Sequence, residues 1–270
     1  MTISDDPALY VTGVWNGLPE NARQSIRGTR DGRAGIGQRS WQALLRAGNP
    51  EALALALDLF LTDRSASRFG RDLPQGHEGV RDAALRLLDL PAIDGLSRFN
   101  THVEKASHIL ALKALGFVAE AQDADALPPL PGECTAGNEL LSAWSGAAGT
   151  VLRQLDAADV RLVETLSIIA IDGRLTRPTR TDAVNALAAS PGTAATAALH
   201  DIVNQSDGDV QIEALAALAR RGRLEDNEVD AIREILALPP SGGSFAVREA
   251  DLRSGLRQTK EPRVERPAQD

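Results

Sequence analysis

The sequence predicts an all-α fold in which antiparallel helix pairs stack into an α-solenoid. Alanine, the best helix former, fills about one position in six. Aromatic residues, which β-sheets favour, make up 3% of the chain. The segments Asp182–Ala188 and Glu213–Ala219 share an acid–Ala–apolar–x–Ala–Leu–Ala pattern 31 residues apart, a period typical of helical repeats. A single pair of antiparallel helices cannot bury its apolar face alone, so we expect stacked helix pairs to share a continuous core.

Residues 1–37 are predicted to be an N-terminal segment that contains a basic loop. Four glycines between residues 28 and 37 disfavour a regular element there. Six arginines and one acidic residue lie between residues 21 and 48. Arginines in such a loop could reach phosphates or an acidic partner, or the loop could be solvated or fold back on the acidic half of the chain. The candidate contact residues are Arg23, Arg27, Arg30, Arg33 and Arg39.

Residues 38–121 are predicted to form N-terminal helical repeats. Apolar residues recur there at helical spacing, with helices that begin near Gln38, Pro50, Glu78 and Thr101. Asn49 can cap the second of these helices, and Pro50 suits a first helical position. Gly48 and Gly116 are predicted to end the first and the last of them.

A stretch rich in proline and glycine, residues 122–138, is predicted to be a linker, and C-terminal repeats follow over 139–238. Thr179 and Asp209 are predicted to cap helices, Gly222 to close one, and Trp144 to lie in the core. The tail, 239–270, is predicted to be partly disordered, with a last helix around 245–256. The helices predicted within the repeats span 139–154, 157–171, 180–189, 193–204, 210–221 and 226–237.

The best-defined unit resembles a HEAT repeat, and more loosely the bacterial HEAT-like subgroup that includes the phycobilin lyases. The resemblance rests on Leu199, Ile202 and Val203 in a first helix, on the turn Ser206–Asp209, and on Val210, Glu213, Ala214, Ala217, Leu218 and Gly222 after it. It departs from the family pattern at Gln211, where arginine is common, whereas Arg180 can supply that residue in the other copy. The resemblance extends over 157–237 and more loosely over 38–120.

The resemblance implies an interaction scaffold, because most HEAT proteins bind partners and few are enzymes. In such units the second helices usually line the concave face. This implies partner contacts at the polar positions of two second helices, namely Arg180, Asp182, Asn185, Gln211, Glu213 and Arg220.

No sequence motif indicates a catalytic, metal or cofactor site. His102 and His108 are six residues apart, about 240° around a helix, so they diverge. Cys134 has no adjacent basic residue to activate it. We therefore expect a non-enzymatic scaffold with a protein partner. The alternatives are a nucleic-acid-binding or base-processing protein that uses the arginine loop, and a lyase or cofactor chaperone.

The net charge of −8 is concentrated in one part of the chain. Residues 122–238 carry 18 acidic and 9 basic side chains, whereas residues 1–121 carry 14 of each. This distribution favours a basic or bipolar protein partner and disfavours nucleic acid. The N-terminus resembles no secretory signal, and no apolar run is long enough to span a bilayer, so we expect a cytoplasmic protein without a membrane partner.

Overall fold

The computed structural model describes residues 44–46, 48, 50–66, 79–92, 106–130, 137–155, 159–237 and 244–260. The regular elements in these ranges are helices, and no strand occurs among the residues described. The predicted all-α class is therefore confirmed. None of the helices in these ranges is long and apolar enough to cross a membrane. The chain divides into two compact units, Met1–Val151 and Leu152–Asp270.

Within the ranges described, the N-terminal unit contains a short helical segment at 44–46, four longer α-helices and one short 3-10 helix. Helix α1 packs against α2 and α3, and α2 also packs against α3. Their buried faces include Leu53, Leu57, Leu87 and Leu112. Each fully buried leucine contributes about 1.5–3 kcal/mol to folding. The elements are α1 (Pro50–Ala66), α2 (Val80–Leu88), α3 (Ala106–Val118), the 3-10 helix (Ala121–Ala126) and α4 (Asn138–Leu152).

Gly116 does not end α3 as the sequence predicted, because the helix continues to Val118. The glycine instead allows α3 and α4 to approach closely. A Cβ at Gly116 would lie 3.6 Å from the carbonyl carbon of Gly146, and the Gly116 carbonyl accepts a 2.7 Å hydrogen bond from Thr150. Gly48, by contrast, has a left-handed backbone (φ 66°), which is typical of a helix stop.

The first part of the proline- and glycine-rich stretch is packed into the N-terminal unit. Leu127 is buried, and the Pro128 carbonyl accepts a 3.0 Å hydrogen bond from the indole of Trp144. Trp144 is itself buried, so the prediction that it is a core residue is confirmed. The division between the two compact units falls between Val151 and Leu152, at the C-terminal end of α4 and not within 122–138.

The C-terminal unit consists of consecutive helices whose bounds follow the predicted segments closely. Helix α5 packs against α6 and α7, α6 also packs against α7 and α8, α7 packs against α8, and α10 packs against both α8 and α9. From Glu213 to Ala219 every residue of α8 is buried, so α8 is surrounded by its neighbours. The helices are α5 (Val160–Ile171), α6 (Arg177–Ala189), α7 (Thr193–Gln205), α8 (Gly208–Arg221), α9 (Asp226–Ala237) and α10 (Ser244–Lys260).

Two predicted helix caps in this unit are wrong. Helix α6 begins at Arg177 after the N-cap Thr176, because a proline in its first turn suits an early start, and Thr179 is buried inside the helix. The N-cap of α8 is Asp207, and Asp209 lies in the first turn of the helix. The predicted stop at Gly222 is confirmed, since Gly222 adopts a left-handed conformation (φ 62°) after α8.

Candidate functional site

Two of the six predicted partner-binding residues hold the helix pairs together. Arg180 Nε donates a 2.7 Å hydrogen bond to the Ala170 carbonyl, in the last turn of α5. Gln211 Nε2 donates a 3.1 Å hydrogen bond to the Val203 carbonyl, in the last turn of α7. Each side chain therefore ties the helix that carries it to the end of the helix that precedes it in the chain.

Two more of these residues contact Arg248 of α10. Glu213 Oε2 accepts a 2.6 Å hydrogen bond from Arg248 Nε, and the Glu213 side chain is 8% exposed. Arg248 Nη2 also reaches Asn185 Oδ1 at 3.5 Å. Asn185 lies on α6, Glu213 on α8 and Arg248 on α10, so these three residues form a polar row across three helices.

The remaining two predicted residues lie at the same set of helices. Arg220 Nη1 donates a 2.5 Å hydrogen bond to Asp251 Oδ2 of α10, and Asp182 is half-buried. Asn185 is exposed and Arg220 keeps 38% of its side chain exposed. A partner contact at these six positions stays a prediction, and Asn185 and Arg220 are its most accessible members.

The sequence did not indicate Arg248 and Asp251 as part of this surface. They lie in the segment where the helical pattern fades, and their partners are 35 and 31 residues earlier in the chain. The second separation matches the repeat period, which is the signal that could have identified the Arg220–Asp251 pair.

The predicted basic loop lies outside the described residues. This holds for Arg23, Arg27, Arg30, Arg33 and Arg39, and also for His102 and Cys134. His108 is described, and its Nε2 lies 2.9 Å from the Leu90 carbonyl. No group of three or more metal-ligating side chains occurs in the part of the chain that the structure describes.

The C-terminal unit contains a cleft of about 520 Å³ at one end of α7 and α8. It is formed by the α6–α7 turn, the first two turns of α7, and the residues on both sides of the Gly222 stop. Its lining includes two arginines and one histidine but no carboxylate. The lining residues are Pro191, Thr193, Thr196, Ala197, His200, Arg221 and Arg223.

Arg221 is held in this cleft by neutral oxygen atoms. Its Nη2 donates hydrogen bonds to the carbonyls of Leu187 (2.7 Å), Ala188 (3.2 Å) and Ser190, at the end of α6. Its Nη1 donates a 2.6 Å hydrogen bond to the hydroxyl of Thr196. The helix end supplies partial negative charge, but no carboxylate is among these partners. Burial of the guanidinium, and then the nearby charge of Arg220, lower the pKa of Arg221.

His200 is oriented by a buried carboxylate. Its Nδ1 lies 2.5 Å from Glu228 Oε1, and Glu228 is 1% exposed. The other carboxylate oxygen, Oε2, accepts a 2.8 Å hydrogen bond from the Glu225 amide. With Nδ1 directed at Glu228, Nε2 is the ring nitrogen left to act on a molecule in the cleft. Carboxylates orient histidine side chains in this way in catalytic triads and at metal sites.

Sequence reasoning did not identify this cleft. Its residues come from two turns and two helices, and their spacing matches no motif. The signal available was the basic run Arg220, Arg221 and Arg223 within a strongly acidic stretch of the chain.

No protein-family model matches this sequence, and the comparisons with curated proteins and with solved structures found no match either.

Proposed function

We propose that the C-terminal unit is a HEAT-like α-solenoid and that the protein is a non-enzymatic scaffold for a protein partner. The observation that supports this proposal is the pairing of the helices. First helices pack on first helices (α5 on α7), and second helices pack on second helices (α6 on α8, and α8 on α10). Repeat proteins of this kind expose long surfaces that bind other proteins.

The proposed binding face is formed by the second helices α6, α8 and α10. The polar row Asn185, Glu213 and Arg248 runs across these helices. The two charged residues in the row, Glu213 and Arg248, pair with each other, so their role is to hold α8 and α10 together. Asn185 and Arg220 remain accessible to a partner. The excess of acidic residues in this part of the chain favours a partner with a basic surface.

A pair of matched asparagine substitutions tests this proposal. Asn185 on α6 and Asn204 on α7 are both exposed, but only Asn185 lies on the proposed face. The full-length protein and the variants Asn185→Arg and Asn204→Arg are each used to capture partners from the native host. We expect a partner of the wild-type protein to be lost with Asn185→Arg and retained with Asn204→Arg, because arginine at residue 185 would repel a basic surface.

Two results would contradict the proposed function. One is that the wild-type protein captures no specific partner. The other is that both arginine variants retain or lose the partner equally, which would place the binding surface elsewhere. Circular dichroism spectra of the two variants establish that both remain folded before the capture is compared.

A further inference from the structure

We propose that the cleft lined by His200, Arg221 and Arg223 binds the phosphate group of a small organic phosphate. This site is separate from the proposed partner-binding face and does not depend on it. The cleft is formed where the α6–α7 turn meets the end of α8.

The charge of the cleft is opposite to that of the surrounding sequence. Acidic side chains outnumber basic ones by 18 to 9 over residues 122–238. The lining nevertheless contains two arginines and no carboxylate. The nearest carboxylate identified by a contact, Glu228, is buried and is engaged by His200 and the Glu225 amide. A local excess of positive charge in a concave site raises the local concentration of anions.

The two arginines have complementary roles in this proposal. Arg221 is fixed by its four hydrogen bonds, which use Nη1 and Nη2. Arginine has five N–H groups in a planar fork, so part of this guanidinium remains available to a ligand. The Arg223 side chain forms no hydrogen bond or ion pair with any other residue in the described ranges, and it is exposed. Arg221 would therefore provide a fixed donor, and Arg223 would close on the anion as it binds.

His200 and Thr193 add further groups that can form hydrogen bonds with a ligand. His200 is fixed through Nδ1, which leaves Nε2 for the ligand. Thr193 and Thr196 line the same cleft. The Thr196 hydroxyl is already engaged, because it accepts a hydrogen bond from Arg221 and donates one to the Gly192 carbonyl at 3.3 Å, which leaves the Thr193 hydroxyl for a ligand. A phosphate group has three terminal oxygens, each of which accepts hydrogen bonds. Arginine forks bind carboxylates and phosphates alike, but two arginines, an imidazole and a hydroxyl offer more polar groups than the two oxygens of a carboxylate can use, and the three oxygens of a phosphate can use them.

The volume of the cleft indicates a ligand larger than a free ion. About 520 Å³ lies within the range of small-molecule sites and far exceeds the volume of one phosphate. Pro191 and Ala197 contribute apolar surface to the lining, against which an organic group could pack. These observations favour a phosphate monoester with a compact apolar body.

Calorimetric titration of the full-length protein with phenyl phosphate, inorganic phosphate and benzoate tests the proposal. We expect saturable binding of phenyl phosphate, with inorganic phosphate and benzoate each weaker by about tenfold or more. Equal binding of benzoate would overturn the assignment of a phosphate group. Equal binding of inorganic phosphate would overturn the assignment of an organic body. The absence of saturable binding of phenyl phosphate would overturn the site altogether.

The variants Arg223→Gln and Arg233→Gln locate the binding. Both arginines are exposed and belong to the same unit, but Arg233 pairs with Asp230 on α9 and does not line the cleft. We expect Arg223→Gln to raise the dissociation constant for phenyl phosphate by about tenfold or more, and Arg233→Gln to change it by less than about twofold. If both variants weaken binding equally, or neither does, the anion is attracted by the general charge of the protein or binds elsewhere, and the proposal fails.

Discussion

Replacement of Gly255 by alanine is expected to destabilise the C-terminal unit, although alanine is the better helix former. Gly255 is buried in α10 where this helix packs against α8. A Cβ at this position would lie 2.6 Å from Ala219 Cβ, 2.9 Å from Leu224 Cδ1 and 3.2 Å from Ala219 Cα. Carbon atoms in contact normally lie about 3.5–4.0 Å apart. The Leu224 methyl can rotate away, but Ala219 is fixed in α8, so the two helices must separate by about 1 Å.

The expected magnitude follows from two opposing terms. Inside a helix, alanine stabilises the folded state by about 1 kcal/mol relative to glycine. Overpacking of a core typically costs about 1–3 kcal/mol, and contact with a neighbouring helix on a rigid Cβ belongs in the upper part of that range. We therefore expect a net loss of about 1–2 kcal/mol, which lowers the urea midpoint by about 0.5–1 M. Separation of α8 and α10 would also lengthen the hydrogen bond between Arg248 Nε and Glu213 Oε2.

Gly146→Ala is the matched control for helix propensity. Gly146 is exposed within α4, and a Cβ there would meet no atom within 4 Å. The free energy of unfolding of this variant should be about 0.5–1 kcal/mol higher than that of the wild-type protein. The three tryptophans of the chain precede residue 152, so tryptophan fluorescence measures the unfolding of the N-terminal unit in Gly146→Ala. Far-UV circular dichroism measures the unfolding of the helices in Gly255→Ala.

A second substitution distinguishes the contact from a general effect of Gly255→Ala. Removal of the opposing methyl group with Ala219→Gly should recover part of the stability in the double variant, because the 2.6 Å contact no longer exists. If Gly255→Ala raises the urea midpoint as Gly146→Ala does, or if Ala219→Gly recovers nothing, the close packing of α8 and α10 is refuted.

Three further substitutions are expected to reduce the stability of the folded protein. Hydrogen bonds from Arg174 lower the pKa of Asp172, so its stabilising effect is present above pH 4 and is lost as the pH falls further. Asp172→Asn should cost less than about 1 kcal/mol at pH 7 and progressively less as the pH falls below about 4, as measured by urea unfolding. Arg81→Met leaves the buried Asp123 carboxylate without its cation and should cost about 3 kcal/mol, measured by tryptophan fluorescence. Gly222→Ala forces alanine into a left-handed conformation (φ 62°) and should reduce the free energy of unfolding by about 1 kcal/mol, which lowers the urea midpoint by about 0.5 M.

The helices of this protein could be predicted from sequence because their signals are local. Apolar spacing and stop residues lie within a few positions of the helix that they define. Gly222 is an example, since a glycine after a helical run favours the left-handed stop that the structure contains. The start of α6 was predicted wrongly because two local signals compete there. Thr179 resembles an N-cap, but Pro178 favours a helix that begins earlier, and the helix begins at Arg177.

The candidate cleft could not be predicted because its contacts are not local in sequence. Arg221 binds the carbonyls of Leu187 and Ser190, and His200 binds Glu228, across about 30 residues in each case. A backbone carbonyl is present at every residue, so a sequence carries no mark for the one that an arginine will reach. The sequence can supply the basic residues, but only the packing of α7 against α8 brings them to one cleft.

The positions of Arg180 and Gln211 show why the repeat tolerates different residues at equivalent places. They are 31 residues apart, and each donates a hydrogen bond to a carbonyl in the last turn of the preceding helix. The acceptor is neutral in both cases, so the position requires a donor of sufficient length and does not require a charge. A glutamine can therefore replace an arginine without loss of the contact. Gln211 thus ties α8 to the end of α7 in the same way as Arg180 ties α6 to the end of α5.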